Sequence, residues 1–67
     1  MKVMQLKVKD VLGFWKELYV KDYHIKDLGF NGWMLIYESP NGILNAERIL
    51  EWEQGKIYTL TEVDNTD

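Results

Sequence analysis

Apolar and polar residues alternate at the start of the chain. Met4, Leu6 and Val8 share one parity, and Gln5, Lys7 and Lys9 the other. That period of two marks a strand with one buried face. From Asp10 the period changes: on a helical wheel Val11, Leu12, Phe14, Trp15, Leu18 and Tyr19 fall within an arc of roughly 160°, opposite Gly13, Lys16 and Glu17. The pattern predicts an amphipathic helix over about 10–20, with Asp10 at its amino end and Glu17 and Lys21 as an i,i+4 pair. Gly13 costs such a helix about 1 kcal/mol relative to Ala.

The remaining segments read as sheet. "YHIKDL" is a strand, "GFNG" a turn, and "WMLIYE" a strand apolar at successive positions, which suits a central place in a sheet. "SPNG" is the next turn, "ILNAERIL" a strand, "EWEQGK" a loop, and "IYTLTEV" a last strand. Pro40 presets the second position of a type I turn, Asn41 suits the third, and Gly42 the positive φ of a bulge. Closing this turn with Ser39 and Ile43 sets Ile36 opposite Ala46, Met34 opposite Arg48 and Tyr37 opposite Asn45. The expected class is α+β: a small, mostly antiparallel sheet of three to five strands with the helix packed on one face.

One helix covers one face of a sheet, yet "WMLIY" presents large side chains to both. The surplus face is accounted for by a sheet that curls and closes on itself, by a homodimer, or by docking of another macromolecule. With the helix over Met34, Ile36, Leu44 and Ala46, the residues left for a partner are Trp33, Leu35, Tyr37 and Ile43, with Glu47 and Arg48 at the rim.

Composition narrows the setting. The chain has 67 residues, enough for a single domain over 1–63 with a polar end, 64–67, that is expected to fray. It has no cysteine, hence no disulfide framework or thiolate metal site, and a reducing cytoplasm is the natural compartment. No apolar run approaches the roughly 20 residues of a membrane span. Charge is uneven. Residues 1–30 hold six Lys against four acids, whereas residues 31–67 hold Arg48 and Lys56 against seven acids, within a net charge of -3. An acidic second half opposes phosphate binding and permits a basic partner.

Catalytic signals are sparse: His24 is the single histidine, and no serine sits in a G-x-S-x-G context. Glu47, Glu51 and Glu53 supply carboxylates that read as a solvated acidic edge rather than as an acid and base pair or a cation site. The G-x-x-G of "GFNG" lies between strands and lacks a basic residue, unlike the nucleotide clamp of KH domains. The acids of the second half, from Glu38 to Asp67, also allow a minor reading as a mimic of nucleic acid.

"LKVKDVL", running from strand into helix, together with "WMLIYESPNGIL" and a final strand, resembles the small cysteine-free accessory proteins of phages and prophages of Gram-positive bacteria. That resemblance implies a modulator or inhibitor of a host protein. It carries no functional residue over. The sequence therefore leads to a non-enzymatic protein-binding module without cofactor or metal, acting on a partner or on itself as a homodimer. Single-stranded nucleic-acid binding through the sheet aromatics is the alternative.

Overall fold

A computed structural model describes residues 2–59. It holds five strands in one antiparallel sheet: β1 (Lys2–Asp10), β2 (Trp15–Val20), β3 (Asp22–Asp27), β4 (Trp33–Glu38) and β5 (Leu44–Thr59), with a 3-10 turn at Gly29–Asn31 between β3 and β4. The spatial order is β2-β1-β5-β4-β3. The fold class is therefore all-β, and the expected helix over 10–20 is absent.

The helical segment divides into a turn and a strand. Asp10 Oδ1 accepts the N–H of Leu12 at 2.9 Å and of Phe14 at 3.0 Å, much as a helix cap would, but Gly13 takes φ 90° and ends the turn at once. The chain then reverses, and Leu18 pairs with Leu6 while Lys16 pairs with Val8. Six apolar residues among nine positions satisfy a helical arc almost by density alone. What decides is that β1 offers a ladder for the backbone and that aromatic and β-branched side chains fit a pleated surface.

The long β5 is the second departure. "EWEQGK" is strand throughout, and Leu44–Glu38 through Ile49–Trp33 pair one half of β5 with β4, while Ile49–Asp10 through Thr59–Lys2 pair the other half with β1. Gly55 lies in a bulge where two residues of β5, Gly55 and Lys56, oppose Gln5 of β1. A Cβ at Gly55 would stand 2.7 Å from Gln5 Oε1. A second register shift, between Lys9 and Asp10, sets Asp10 opposite Ile49, where β5 passes from one neighbour to the other. Two bulges add twist and bend to a strand of this length.

The bent sheet folds over on itself. β1 and β4 lie on opposite sides of β5, yet Leu6 and Val8 of β1 share a buried cluster with Leu35 of β4 and Ile49 of β5. Leu18, Tyr23, Ile25, Trp33 and Tyr37 pack around it. The two outermost strands, β2 and β3, are joined by Lys21 alone, whose N–H donates to Glu38 O at 2.8 Å. Two polar contacts tie one layer to the other: Tyr23 Oη donates to Gln54 Oε1 at 2.7 Å, and Lys16 Nζ meets Glu47 at 2.8 Å. Of the three accounts of the surplus face, curling of the sheet is the one this architecture uses for β4.

The Pro-Asn-Gly hairpin has the expected register, with Ile36 opposite Ala46, Met34 opposite Arg48 and Tyr37 opposite Asn45. The polar tail 64–67, and the end of the last strand up to Val63, lie outside the described residues.

Candidate functional site

The structure brings Trp33, Leu35 and Tyr37 together, but in the interior. Leu35 is fully buried, and Trp33 and Tyr37 are half-buried against the same cluster. Without a helix to cover Met34 and Ile36, the two faces of β4 exchange roles: the odd-numbered residues meet β1, and Ile36 is exposed. Ile43 is exposed on its turn and Arg48 is exposed opposite Met34, while Glu47 is half-buried beside Lys16. The six residues do not form one surface patch.

The largest local concentration of exposed apolar side chains is elsewhere, at the β1–β2 hairpin. Within five residues Val11 is 45% exposed, Leu12 77%, Phe14 67% and Trp15 53%. The turn that carries them is held from within. Gly13 N donates to Asp10 O and Asp10 N to Phe14 O, both at 2.9 Å, and Asp10 Oδ1 takes the N–H groups of Leu12 and Phe14. The backbone donors of Asp10, Leu12, Gly13 and Phe14 are thus satisfied locally, so the tip can enter an apolar surface without stranding them.

Charge surrounds the tip on both layers. Lys9 pairs with Glu51 at 3.4 Å, and the neighbouring row across the outer face reads Glu17, Lys7, Glu53. Glu17, Lys7 and Glu53 line an open cleft of about 600 Å³ together with Trp15 and Lys16. The Glu47 carboxylate, hydrogen-bonded to the Lys16 ammonium, holds the Lys16 pKa above the usual lysine range against the opposing effect of burial. A lysine kept protonated in this way is a tether, not a nucleophile or base.

The carboxylates do not converge. Glu47 opposes Leu35 on the interior face of β5, whereas Glu51 and Glu53 oppose Lys9 and Lys7 on the outer face. His24 is exposed opposite Ile36, in a shallow cleft of about 340 Å³ that Ile36, Leu44, Tyr37, Asp22 and Glu38 also line. Among the described residues no three His, Cys, Asp or Glu side chains form a group able to hold a metal ion, and no helix is long and apolar enough to cross a membrane.

The spacing of Val11, Leu12, Phe14 and Trp15 predicts a buried helix face, whereas the structure exposes all four at the hairpin. The signal for the true arrangement is Asp10-x-x-Gly13, the residue preference of a type I turn with Asp first and Gly fourth, placed between two strand-compatible runs. No protein family, no curated protein and no solved structure matches the chain. The phage accessory resemblance thus stands on the sequence pattern alone, and its strand-into-helix element is replaced here by a hairpin.

Proposed function

We propose that the chain is a non-enzymatic, cytoplasmic association module that docks on a protein through its β1–β2 hairpin. The observation that carries this reading is the tip itself: three exposed large side chains on a turn whose backbone is internally hydrogen-bonded, with exposed Trp15 beside them at the start of β2. Turn positions favour small and polar residues, so Val11 and Leu12 at the apex need a reason beyond the turn. Burying a Val, Leu or Phe side chain contributes about 1.5–3 kcal/mol, so Val11, Leu12 and Phe14 together supply about 4.5–9 kcal/mol before the cost of association, which suits a weak, reversible contact. Around the tip Lys7, Lys9 and Lys16 stand among Glu17, Glu51 and Glu53, so a partner's rim would need both signs of charge. The cleft beside Trp15 holds Lys7 and Lys16 as well as Glu17 and Glu53, a balance that offers no net attraction to the phosphates of single-stranded nucleic acid. A role as a modulator of a host protein fits this surface.

The test is a pull-down from extracts of the source cells with the wild-type chain and with Leu12→Asp/Phe14→Asp, whose fold is checked by far-UV circular dichroism. Loss of every specific partner in the variant is the expected outcome. Equal recovery by both proteins refutes the hairpin as the docking element.

A further inference from the structure

We infer that the outer edge of β2 takes a second copy of this chain, strand against strand, so that the two sheets join around a twofold axis at Tyr19. This rests on the association reading and gives one partner a definite chemistry. Among the described residues β2 pairs only with β1, which leaves its outward row of N–H and C=O groups without backbone partners. Strand edges of natural proteins are usually blunted by proline, bulges or inward charges, and an unprotected edge is a template for another strand. β2 carries no proline, its six-residue register with β1 is unbroken from Trp15 to Val20, and its one inward charge, Lys16, is already matched by Glu47 of the same protomer. The other edges are less receptive: β5 is interrupted by two bulges, and β3 sets Asp22, His24 and Lys26 on the outer side of its layer.

The sequence of β2 selects the register. Two antiparallel copies related by a twofold axis place residues of the same face opposite each other, so each register is centred on one residue. Centring on Lys16 or Glu17 sets a charge against its own copy. Centring on Leu18 sets Lys16 against Val20 and Glu17 against Tyr19. Centring on Tyr19 sets Leu18 against Val20 and Glu17 against Lys21, each twice. This last register joins opposite charges on the outer face and sets no charge against an apolar side chain among these pairs; Leu18 and Val20, already packed inside each protomer, are compatible with it. It also places Tyr19, which is 46% exposed and already meets Tyr58 edge to face at 5.9 Å, beside its counterpart, making a cluster of four tyrosines on one face. Lys21 has Glu38 at 3.6 Å as its present anion, and both side chains are about one-third exposed, so Lys21 can turn to Glu17 of the other copy at little cost.

The experiment is sedimentation equilibrium of the whole chain from low micromolar to millimolar concentration, with Glu17→Lys, Lys21→Glu and the double exchange. The wild type should rise with concentration from the 8.0 kDa chain mass to twice that value. Each single variant should weaken the dimer about tenfold or more, since two attractive pairs become repulsive, and the double variant should restore most of it. Hydrogen exchange of the wild type is a check independent of variant folding: the amides of 15–20 should gain protection as the dimer forms. A wild type that stays monomeric overturns the second-copy inference but leaves docking of the hairpin on a different protein intact. A dimer that survives both single variants, or that the double variant does not restore, overturns the β2 edge and its register. A dimer lost in Leu12→Asp/Phe14→Asp but indifferent to the charge exchanges places the second copy on the tip instead, which supports the association reading against the edge.

Discussion

Two turns of this molecule share one hydrogen-bond frame and differ in almost everything else. At Asp10–Phe14 the first N–H donates to the fifth C=O at 2.9 Å and the fourth N–H to the first C=O at 2.9 Å; at Ser39–Ile43 the same bonds measure 2.8 and 2.9 Å. A glycine at the fourth position has φ 90° in one and 89° in the other. The first side chain caps the fifth N–H in both, Asp10 Oδ1 to Phe14 at 3.0 Å and Ser39 Oγ from Ile43 at 3.1 Å. Yet the apex of one is Val-Leu and that of the other Pro-Asn. Backbone geometry is therefore specified by the first and fourth residues, and the two between them are free for another use. In the Ser39 turn Pro40 lowers the entropy of the unfolded chain and Asn41 accepts the Ser39 hydroxyl; in the Asp10 turn Val11 and Leu12 are apolar and exposed, which is what a docking element needs.

A third turn sharpens the contrast by showing what glycine does when space as well as φ is constrained. Gly32 also has φ 90°, but a Cβ there would stand 2.5 Å from the Ile49 carbonyl oxygen, at the point where β5 changes neighbours. Around Gly13 nothing lies within 4 Å. Gly32→Ala is therefore expected to lose about 3 kcal/mol or more and Gly13→Ala about 1–2 kcal/mol, measured by urea unfolding. Equal losses would mean that the close approach at Ile49 yields freely and that only φ matters.

The next largest difference should lie in the caps. Asp10 accepts two backbone N–H groups with a charged oxygen, while Ser39 accepts one and donates its own hydroxyl to Asn41 Oδ1. Hydrogen bonds to a charged group contribute more than neutral ones. Asp10→Ala should destabilise by about 1–2 kcal/mol and Ser39→Ala by about 0.5–1 kcal/mol. In a domain this small 1 kcal/mol moves Tm by about 4–8 °C, so the two are separable in a thermal melt. A larger loss for Ser39→Ala would reverse the ranking of the two turns.

The unequal legibility of these turns explains where sequence reading succeeded. "SPNG" names its turn through every residue, because Pro, Asn and Gly each exclude alternatives, and the register of β4 on β5 followed. "DVLG" carries only the first and fourth signals, and its apolar middle joined Phe14, Trp15, Leu18 and Tyr19 in a pattern compatible with a helix. Period counting cannot separate helix from strand in a run this dense in apolar residues. That single misreading moved the expected docking face. Without a helix, the interior is made by β1 folding over β4, so Leu35 goes inside and the hairpin tip is left out. Gly55 had a similar effect: an isolated glycine in a strand marks a bulge as readily as a loop. The exposed edge of β2 was invisible for the same reason, since a segment taken as helix has no edge.

The strands that leave the two turns are tied to each other by one ion pair. Lys16 lies two residues beyond Phe14, Glu47 four beyond Ile43, and their side chains meet at 2.8 Å. Its hydrogen bond to Glu47 raises the Lys16 pKa in the folded chain. The contribution is fully present below the unfolded lysine value of about 10.4 and is lost as pH rises through the higher folded value. Lys16 is 41% exposed, so solvent screening limits the pair to about 0.5 kcal/mol. Lys16→Met should therefore cost little near pH 7, and the gap between variant and wild type should close above pH about 10.5, where tyrosine titration is common to both. A gap that is unchanged at pH 11 would assign the effect to packing of the lysine stem.

The smallest expected change in stability tests the largest claim. Exchanging the apices, with Val11→Pro/Leu12→Asn at one turn and Pro40→Val/Asn41→Leu at the other, leaves both hydrogen-bond frames and both glycines in place. Proline at the second position of a type I turn gains about 0.4–1 kcal/mol through the unfolded state, so the first variant should be as stable as the wild type or slightly more so, and the second slightly less. Partner recovery should move in the opposite sense. It should fall with Pro-Asn on the β1–β2 hairpin, even though the fold is intact. If the first variant instead loses more than about 1.5 kcal/mol, Val11 and Leu12 hold the hairpin together, and their exposure is no longer a sign of docking. If stability is kept and recovery is unchanged, the partner reads the strands behind the turn, and Trp15 and Tyr19 on β2 become the residues to alter next.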